Sequence, residues 1–190
     1  MANRIEKYPI PTECIYCKSE VIFTSNVNVY GKKYGNGKCY KCTNCDAYVG
    51  VHSGTNIPLG RLANKELRAL KKSAHTLFDP QWKEGKKKRG QAYEDLAKHL
   101  GIPKRECHFG WFDKETLEKA ITILAKEMMK ETVGFLRKDS DLTDEWGRNF
   151  IKSLIKISRE NKKLTEKQVT YLQKQYQIVK KNANQKGIAI

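Results

Sequence analysis

Six cysteines are the residues of this sequence whose type and spacing point most directly to chemistry, and four of them form two Cys-x-x-Cys pairs. Cys14 pairs with Cys17, and Cys42 pairs with Cys45 after 24 intervening residues. Zinc takes four ligands that converge tetrahedrally, with thiolate sulfurs about 2.3 Å from the metal, and a tight turn of this spacing brings two sulfurs to one point. The pattern predicts one structural zinc ion bound by Cys14, Cys17, Cys42 and Cys45.

Cys39 leaves the ligand set open, because Cys39 and Cys42 form a third pair of the same spacing. Four sulfurs satisfy the ion, so Cys39 could replace Cys42 or Cys45; we expect it to be a half-buried strand cysteine instead. A redox dithiol of the thioredoxin type needs its pair at the N-terminus of a helix that follows a strand, and neither pair has that setting. A zinc held by four thiolates stabilises a fold and leaves no open coordination position.

The elements that must position these cysteines read as strands and turns. Glu20–Thr24, Asn26–Tyr30 and Ala47–Val51 are rich in β-branched and aromatic residues, and Gly31 with Gly35–Gly37 marks a hairpin loop. The fold class expected is therefore α+β, beginning with a zinc ribbon of three to four short antiparallel strands packed on a helical region.

Helical periodicity begins near residue 62 and continues to Val179, and we expect the tail after Asn182 to be frayed. Pro80 ends a first helix, Gly101 and Pro103 stop a second, and Asp113 is a suitable N-cap for a longer third. Two further helices follow. The first is capped by Thr143 and has Trp146, Phe150, Ile151, Leu154 and Ile155 on its inner face, and the second opens with a capping box from Thr165 to Gln168. The predicted domains are a ribbon at 1–58, a helical region at 59–136 and a C-terminal two-helix module at 137–190.

The formal net charge of +16 is spread along the chain, with +3 in residues 1–58, +7 in 59–112 and +6 in 113–190. A polyanionic partner follows from this charge, because each cation docked on a phosphate releases a counterion. The longest apolar run is far shorter than the roughly 20 residues of a membrane span, and the first residues have no apolar signal core. We expect a cytoplasmic protein without membrane contact.

Basic residues beside aromatic ones are the candidate nucleic-acid contacts, since exposed rings stack on bases and cations contact phosphates. They lie in a basic loop, before the third helix and around the turn of the C-terminal hairpin. The predicted set is Trp82, Lys86, Lys87, Lys88, Arg89, Lys104, Arg105, Lys156, Arg159, Lys162, Lys163 and Lys167.

Histidines provide the alternative chemistry. His75 and Asp79 stand four residues apart and would share a helix face, where they could ligate a metal or act as general base. His52 and His108 could join them in a metal-dependent nuclease or related hydrolase. The other interpretation is that each histidine packs or bonds locally, and no hydrolase motif or phosphate-binding loop accompanies them.

A longer stretch resembles a known family. CDAYVGVHSGTNIPLGRLANKELRALKKSAHTLFDPQW, followed by AYEDLAKHLGI and CHFGWFD, is similar to the zinc-finger-containing domain of tailed-phage and prophage proteins, over about residues 12–125. The resemblance implies a phage or prophage origin and a zinc ribbon leading into helices; it implies no activity. The C-terminal hairpin, LTDEWGRNFIKSL through LTEKQVTYLQKQY, resembles a small helical module of other phage and DNA-metabolism proteins.

The function expected is that of a phage-type zinc-binding protein that binds nucleic acid, DNA rather than RNA, in replication, recombination or regulation. Two alternatives stay open: the hydrolase just described, and an adaptor or inhibitor directed at a host protein. We expect no catalytic residues under the first interpretation. Oligomeric state and sequence specificity have no signal in the sequence.

Overall fold

The computed structural model describes residues 8–35, 37–85 and 87–189. It confirms the α+β class: 56% of the chain is helical, and a small antiparallel sheet lies near the cysteines. Contacts divide the described residues into two compact units. We call residues 8–69 with 108–113 the knuckle module, and residues 70–107 with 114–189 the helical unit.

The sheet of the knuckle module has three antiparallel strands in the order β1-β2-β3. They are β1 (Val21–Ser25), β2 (Lys38–Cys42) and β3 (Tyr48–Gly50). Val21 is opposite Cys42 in the β1–β2 register, and Cys39 is opposite Gly50 in the β2–β3 register. The predicted strands near Glu20–Thr24 and Ala47–Val51 are present, and Cys39 lies in a strand as expected. Strand β2 also extends to Cys42, the first residue of the second knuckle.

The predicted strand at Asn26–Tyr30 is wrong, because Val27–Tyr30 form the short helix α1. The amide side chain of Asn26 donates to the backbone oxygen of Tyr34 and accepts from the backbone nitrogen of the same residue. Gly31 ends the helix at φ 70°, a left-handed conformation that glycine adopts without strain. These local bonds close the loop between β1 and β2, and they outweigh the strand propensity of two valines and a tyrosine.

Gly60 and Gly110 allow two backbone segments of the knuckle module that are distant in sequence to pack in direct contact. A Cβ atom on Gly60 would lie 2.2 Å from the backbone oxygen of Gly110. Arg61 donates its backbone N–H to the same oxygen at 2.8 Å, and its Nε donates to the backbone oxygen of Trp111 at 3.2 Å. Residues 108–113 thereby belong to the knuckle module although they lie far along the chain.

Helices α2 (Lys65–Phe78), α3 (Pro80–Lys83) and α4 (Arg89–Leu100) follow the sheet. The side chain of Asn64 accepts from the backbone N–H of Leu67 at 2.9 Å and begins α2, which ends before Pro80 as predicted. Gly101 ends α4 in the left-handed conformation. A short 3-10 turn at Lys104–Glu106 then leads back to the knuckle module.

The long helix α5 (Lys114–Lys138) and the final pair α6 (Glu145–Arg159) and α7 (Glu166–Gln185) form the rest of the helical unit. Helix α5 packs against α4, α6 and α7. The capping box at Thr165 and Gln168 is confirmed. Helix α6, however, is capped by Asp144, whose side chain accepts from the backbone N–H of Gly147 at 2.7 Å. Thr143, the predicted cap, donates its hydroxyl to Gln175 of α7 instead.

The inner face of α6 agrees with the prediction at Ile151 and Leu154 but differs from it at Trp146. Its buried residues are Gly147, Ile151 and Leu154, whereas Trp146 is 53% exposed. A Cβ atom on Gly147 would lie 2.3 Å from the hydroxyl of Thr143 and 2.5 Å from the amide oxygen of Gln175. The glycine therefore faces inward where α6 begins, which turns the neighbouring tryptophan outward.

The predicted domain boundaries after residues 58 and 136 both fall inside a unit defined by contacts. The division into a ribbon, a helical region and a C-terminal two-helix module stays a prediction. Within the described ranges, no helix combines the length and apolar character needed to cross a membrane.

Candidate metal centre

The strand register brings the two cysteine pairs to one end of the sheet. The first pair precedes β1, the second begins at the last residue of β2, and Val21 is opposite Cys42. Adjacent antiparallel strands place the start of one beside the end of the other. Thr43 reinforces the junction, because its backbone N–H and its hydroxyl both donate to the backbone oxygen of Glu20.

The first knuckle is a tight turn from Cys14 to Ser19. The backbone N–H of Cys14 donates to the carbonyl of Ser19 at 2.8 Å, and that of Lys18 donates to the carbonyl of Cys14 at 2.9 Å. Lys18 adopts φ 65°, one of two non-glycine residues with positive φ in the described ranges. This left-handed residue reverses the chain directly after Cys17 and aims both sulfurs at the same point.

In the second knuckle, backbone N–H groups point at the sulfur of Cys42. The backbone N–H groups of Asn44 and Cys45 approach the Sγ of Cys42 at 3.4 and 3.3 Å. The backbone N–H of Cys42 donates to the carbonyl of Ala47 at 2.9 Å and closes the turn. Amide donors around a sulfur stabilise the thiolate form, which is the form that binds a metal.

The four predicted sulfurs meet in a geometry that fits zinc. Cys14 Sγ lies 3.5 Å from Cys45 Sγ, and Cys17 Sγ lies 3.5 Å from Cys42 Sγ. All four lie within 4.8 Å of one another. A tetrahedron with metal–sulfur distances of 2.3 Å has edges of about 3.8 Å, so a zinc ion fits among them with small adjustments. The cluster is a structural zinc site whose four cysteines fill the coordination shell.

The sulfurs hold protons unequally when no cation is bound. Hydrogen bonds from the side chain and backbone of Ser19 lower the pKa of Cys17 to about 6. At Cys45, the backbone N–H of Ala47 lowers the pKa, but desolvation and the neighbouring sulfurs raise it to about 12. Several thiolates this close repel one another, and a divalent cation removes that repulsion while displacing the protons.

Cys39 does not belong to the cluster, which answers the question that the sequence left open. It is the second residue of β2, three residues before Cys42, and alternation along a strand places these two side chains on opposite faces. Cys39 is 1% exposed, and burial raises the pKa of its thiol. Cys107 in the helical unit is also buried, and desolvation raises its pKa to about 11.

Arg68, which sequence reasoning missed, anchors the second knuckle. Its guanidinium donates to the carboxylate and the backbone oxygen of Asp46, both at 2.8 Å, and to the backbone oxygen of Ala63. The same group lies 4.3 Å from the ring centroid of Tyr48. On the first knuckle, the hydroxyl of Tyr16 donates to the carbonyl of Leu62 at 3.2 Å. Nothing in the sequence pattern distinguishes these two residues from other surface residues.

The histidines have separate local roles in the described residues. His108 accepts from the backbone N–H of Gly110 at 3.1 Å and stacks on Trp111. The backbone of His52 bonds within its turn. His75 Nδ1 lies 3.2 Å from Asp79 as predicted, but Asp79 also pairs with Lys83 at 2.6 Å. Across residues 8–35, 37–85 and 87–189, the four cysteines are the one group of three or more potential ligands suited to a metal.

The structure divides the predicted nucleic-acid contacts into two classes. Many pair with carboxylates: Lys87 with Asp95, Lys104 with Glu94, Arg105 with Glu106, Lys162 with Glu160 and Lys163 with Glu118. Lys88, Lys156, Arg159 and Lys167 have no carboxylate partner among the described residues. Lys86 lies outside the described residues.

Trp82 is half-buried in α3, and its ring is occupied by neighbouring cations. The guanidinium of Arg89 lies 5.2 Å and the ammonium of Lys83 5.4 Å from the ring centroid. Its indole nitrogen is buried without a hydrogen-bond partner among the described residues. This setting resembles a packed side chain more than a free stacking platform, and its role in binding stays a prediction.

No curated protein and no solved structure matches the chain. A family described as a zinc-finger-containing domain, of uncharacterised function, matches residues 10–127. That range contains both knuckles, the three strands and the close crossing of Gly60 and Gly110. It covers well over half of the chain, and the four-cysteine geometry agrees with its description. The chain therefore belongs to the zinc-finger-containing domain family.

Proposed function

We propose that this protein binds nucleic acid, with DNA preferred over RNA, through cations of its C-terminal helices. The zinc ion keeps the knuckle module folded. The proposed setting is phage replication, recombination or regulation in the cytoplasm of a host cell. The observation that carries the proposal is a row of cations on α6, formed by Lys152, Lys156 and Arg159, which we call the cation stripe.

The three residues of the cation stripe are spaced i, i+4, i+7 and so share one helix face. All three are exposed, and none has a carboxylate partner among the residues described. At 1.5 Å per residue the stripe is about 10 Å long. One strand of a duplex advances 3.4 Å per phosphate, so the stripe matches the axial length of about three nucleotides.

The surroundings of the stripe are also positive. Residues 145–190 contain 11 Lys and Arg against 3 Asp and Glu. Lys167 lies in the first turn of α7, where unpaired backbone N–H groups and the helix dipole favour an anion. A surface with this excess of cations attracts a polyanion more strongly than it attracts a neutral partner.

Paired cations elsewhere on the chain support the choice of this surface. A lysine held by a carboxylate, as Lys87 is by Asp95 at 2.7 Å, must release that partner before it neutralises a phosphate. The cation stripe has no such competitor in the described part of the chain. Its three residues can therefore neutralise phosphates directly, which releases the counterions condensed on the nucleic acid.

The test compares two triple variants of equal net charge. In the first, Lys152, Lys156 and Arg159 are changed to glutamine; in the control, the ion-paired Lys72, Lys98 and Lys119 are changed to glutamine. Affinity for duplex DNA, single-stranded DNA and RNA is measured across a salt series. The stripe variant should flatten the slope of log K against log salt for duplex DNA by about 2 to 3, because each lost phosphate contact removes about 0.9.

The control variant should keep nearly the wild-type slope. Equal slopes for the two triple variants would show that net charge alone determines binding, and the proposed surface would be wrong. Failure of the wild-type protein to bind any of the three nucleic acids near physiological salt would overturn the proposed function itself. Preference for RNA over DNA would correct the stated choice of nucleic acid.

A further inference from the structure

Three aromatic side chains of the helical unit form an exposed cluster where α6 and α7 meet. Trp146 is 53% and Tyr171 45% exposed, and Phe150 is partly buried. The rings of Trp146 and Phe150 are 5.2 Å apart and within 3° of parallel. Tyr171 meets both of them nearly edge-on, at 5.9 and 6.1 Å. We call these three residues the aromatic patch.

The patch is exposed because of the way α6 packs. Gly147 takes the inward position at the start of the helix, against Thr143 and Gln175. Trp146 and Phe150 are one helical turn apart, so the same rotation turns both toward solvent. A tryptophan left half in water offers more uncovered ring surface than ordinary packing requires.

The charges around the patch indicate the chemistry of its partner. The ammonium of Lys174 lies 5.3 Å from the ring centroid of Tyr171. Lys167 is one turn before Tyr171 and Lys174 one turn after it, on the same face of α7. Neither lysine has a carboxylate partner in the described ranges, and Glu145 is the acidic neighbour of Trp146 in sequence.

Flat rings between two cations fit a ligand that carries both flat apolar surfaces and regularly spaced anions. Single-stranded nucleic acid has this chemistry, because its bases are free to stack on aromatic side chains while its phosphates contact lysines. The bases of a duplex are already stacked on one another and expose no face. A partner protein that used the rings would need acidic residues at the spacing of the two lysines.

We propose that the aromatic patch stacks unpaired bases of single-stranded nucleic acid, with Lys167 and Lys174 on the flanking phosphates. The inference rests on the proposed function and narrows it: the cation stripe supplies affinity for any nucleic acid, and the aromatic patch supplies preference for single strands. The two surfaces occupy different faces of α6, since Trp146 and Lys156 are separated by about a quarter turn at 100° per residue.

The test uses the full chain and two probes, an oligothymidine and a duplex of the same length. Trp146→Ala should weaken binding of the oligothymidine roughly tenfold, within the range of one lost base–aromatic stack, and leave duplex binding unchanged. Trp146→Phe keeps an aromatic face and should retain most of the affinity. Ile178→Ala is the matched control, because Ile178 is 43% exposed on α7 and has no ring.

Salt slopes and melting curves accompany each affinity. Trp146→Ala should keep the wild-type slope, because no phosphate contact is removed. It should stay folded with a small loss of melting temperature, because the residue is 53% exposed and its ring packs on Phe150 and Tyr171 within the patch. If Trp146→Ala binds oligothymidine as tightly as Ile178→Ala does, or weakens both probes equally, the aromatic patch does not stack bases. The proposed function would survive that result as long as the wild-type protein binds with a steep salt slope, whereas no binding by wild type would remove both proposals.

Discussion

The knuckle module and the helical unit are stabilised by different means. The core beside the sulfurs consists of small side chains and two larger ones, Tyr40 and Leu62. In the helical unit, large apolar side chains fill the interior. Of the largest fully buried side chains, all but Phe109 belong to α2, α5, α6, α7 or the turn before α6. Burial of apolar area can stabilise the helical unit. We expect the knuckle module to depend on its metal.

The two regions also differ in what they leave at the surface. In the knuckle module, Arg68 is engaged by Asp46 and Tyr48, and the thiolates are directed inward. Helices α6 and α7 carry the cation stripe, Lys167 and Lys174, which have no carboxylate partners in the described residues. They also carry the exposed rings of the aromatic patch. Under the proposed function, the zinc serves folding and the C-terminal hairpin contacts the polyanion, and the predictions that follow test this division.

Removal of the metal should have the largest effect. Cys14→Ser should release zinc and unfold the knuckle module, because the binding energy of a structural zinc, on the order of 10 kcal/mol, is folding energy. Zinc analysis should give about one ion per wild-type chain and almost none in the variant. Most of the helical circular dichroism should persist, since the helical unit has its own apolar core.

Cys39→Ser is the control for that experiment. Its side chain is buried but lies outside the sulfur cluster, so the variant should retain zinc and lose only about 1–3 kcal/mol of stability. A Cys39→Ser protein without zinc would contradict the ligand set. Loss of all helical signal in Cys14→Ser would show that the helical unit depends on the metal as well.

A core truncation in the hairpin should have the opposite pattern. Leu172 is fully buried in α7, which packs against α5, so Leu172→Ala should destabilise the helical unit by about 2–5 kcal/mol. Zinc content should stay at one ion per chain. Ile178→Ala on the same helix should change stability far less, by about 0.5 kcal/mol, because its side chain is 43% exposed. Zinc loss in Leu172→Ala would remove the distinction between the two regions.

The zinc site could be predicted because its chemistry is local. Ligand type and spacing define each knuckle, and only the choice among Cys39, Cys42 and Cys45 required the strand register. The α+β class and the capping box at Thr165 were also readable, since composition and cap chemistry act within a few residues.

What the sequence could not show depends on contacts between distant residues. The strand predicted at Asn26–Tyr30 is a helix because Asn26 binds Tyr34 across a loop. Periodicity placed Trp146 on the inner face of α6, whereas Gly147 takes the inward position against Gln175 on the next helix and Trp146 is exposed. The close approach of Gly60 and Gly110 likewise joins residues fifty positions apart, for which a single sequence gives no signal.

The smallest expected effect is a difference in stability between alanine substitutions at two helical glycines, Gly147 and Gly90. Gly147 and Gly90 both lie in the first turn of a helix, where alanine is ordinarily the better residue. A Cβ atom on Gly90 meets nothing within 4 Å, whereas one on Gly147 meets Thr143 and Gln175 at 2.3 and 2.5 Å. Gly90→Ala should raise the free energy of unfolding by up to about 1 kcal/mol. Gly147→Ala should lower it by about 1–3 kcal/mol, because the added methyl forces α6 away from α7 and weakens the hydrogen bond between Thr143 and Gln175.

Chemical denaturation of both variants measures the sign of each change in the free energy of unfolding directly. The displacement should also move Trp146, so its fluorescence should change in Gly147→Ala and stay constant in Gly90→Ala. If both variants are stabilised, the tight contact at Gly147 does not determine the orientation of α6, and another contact must hold the aromatic patch at the surface.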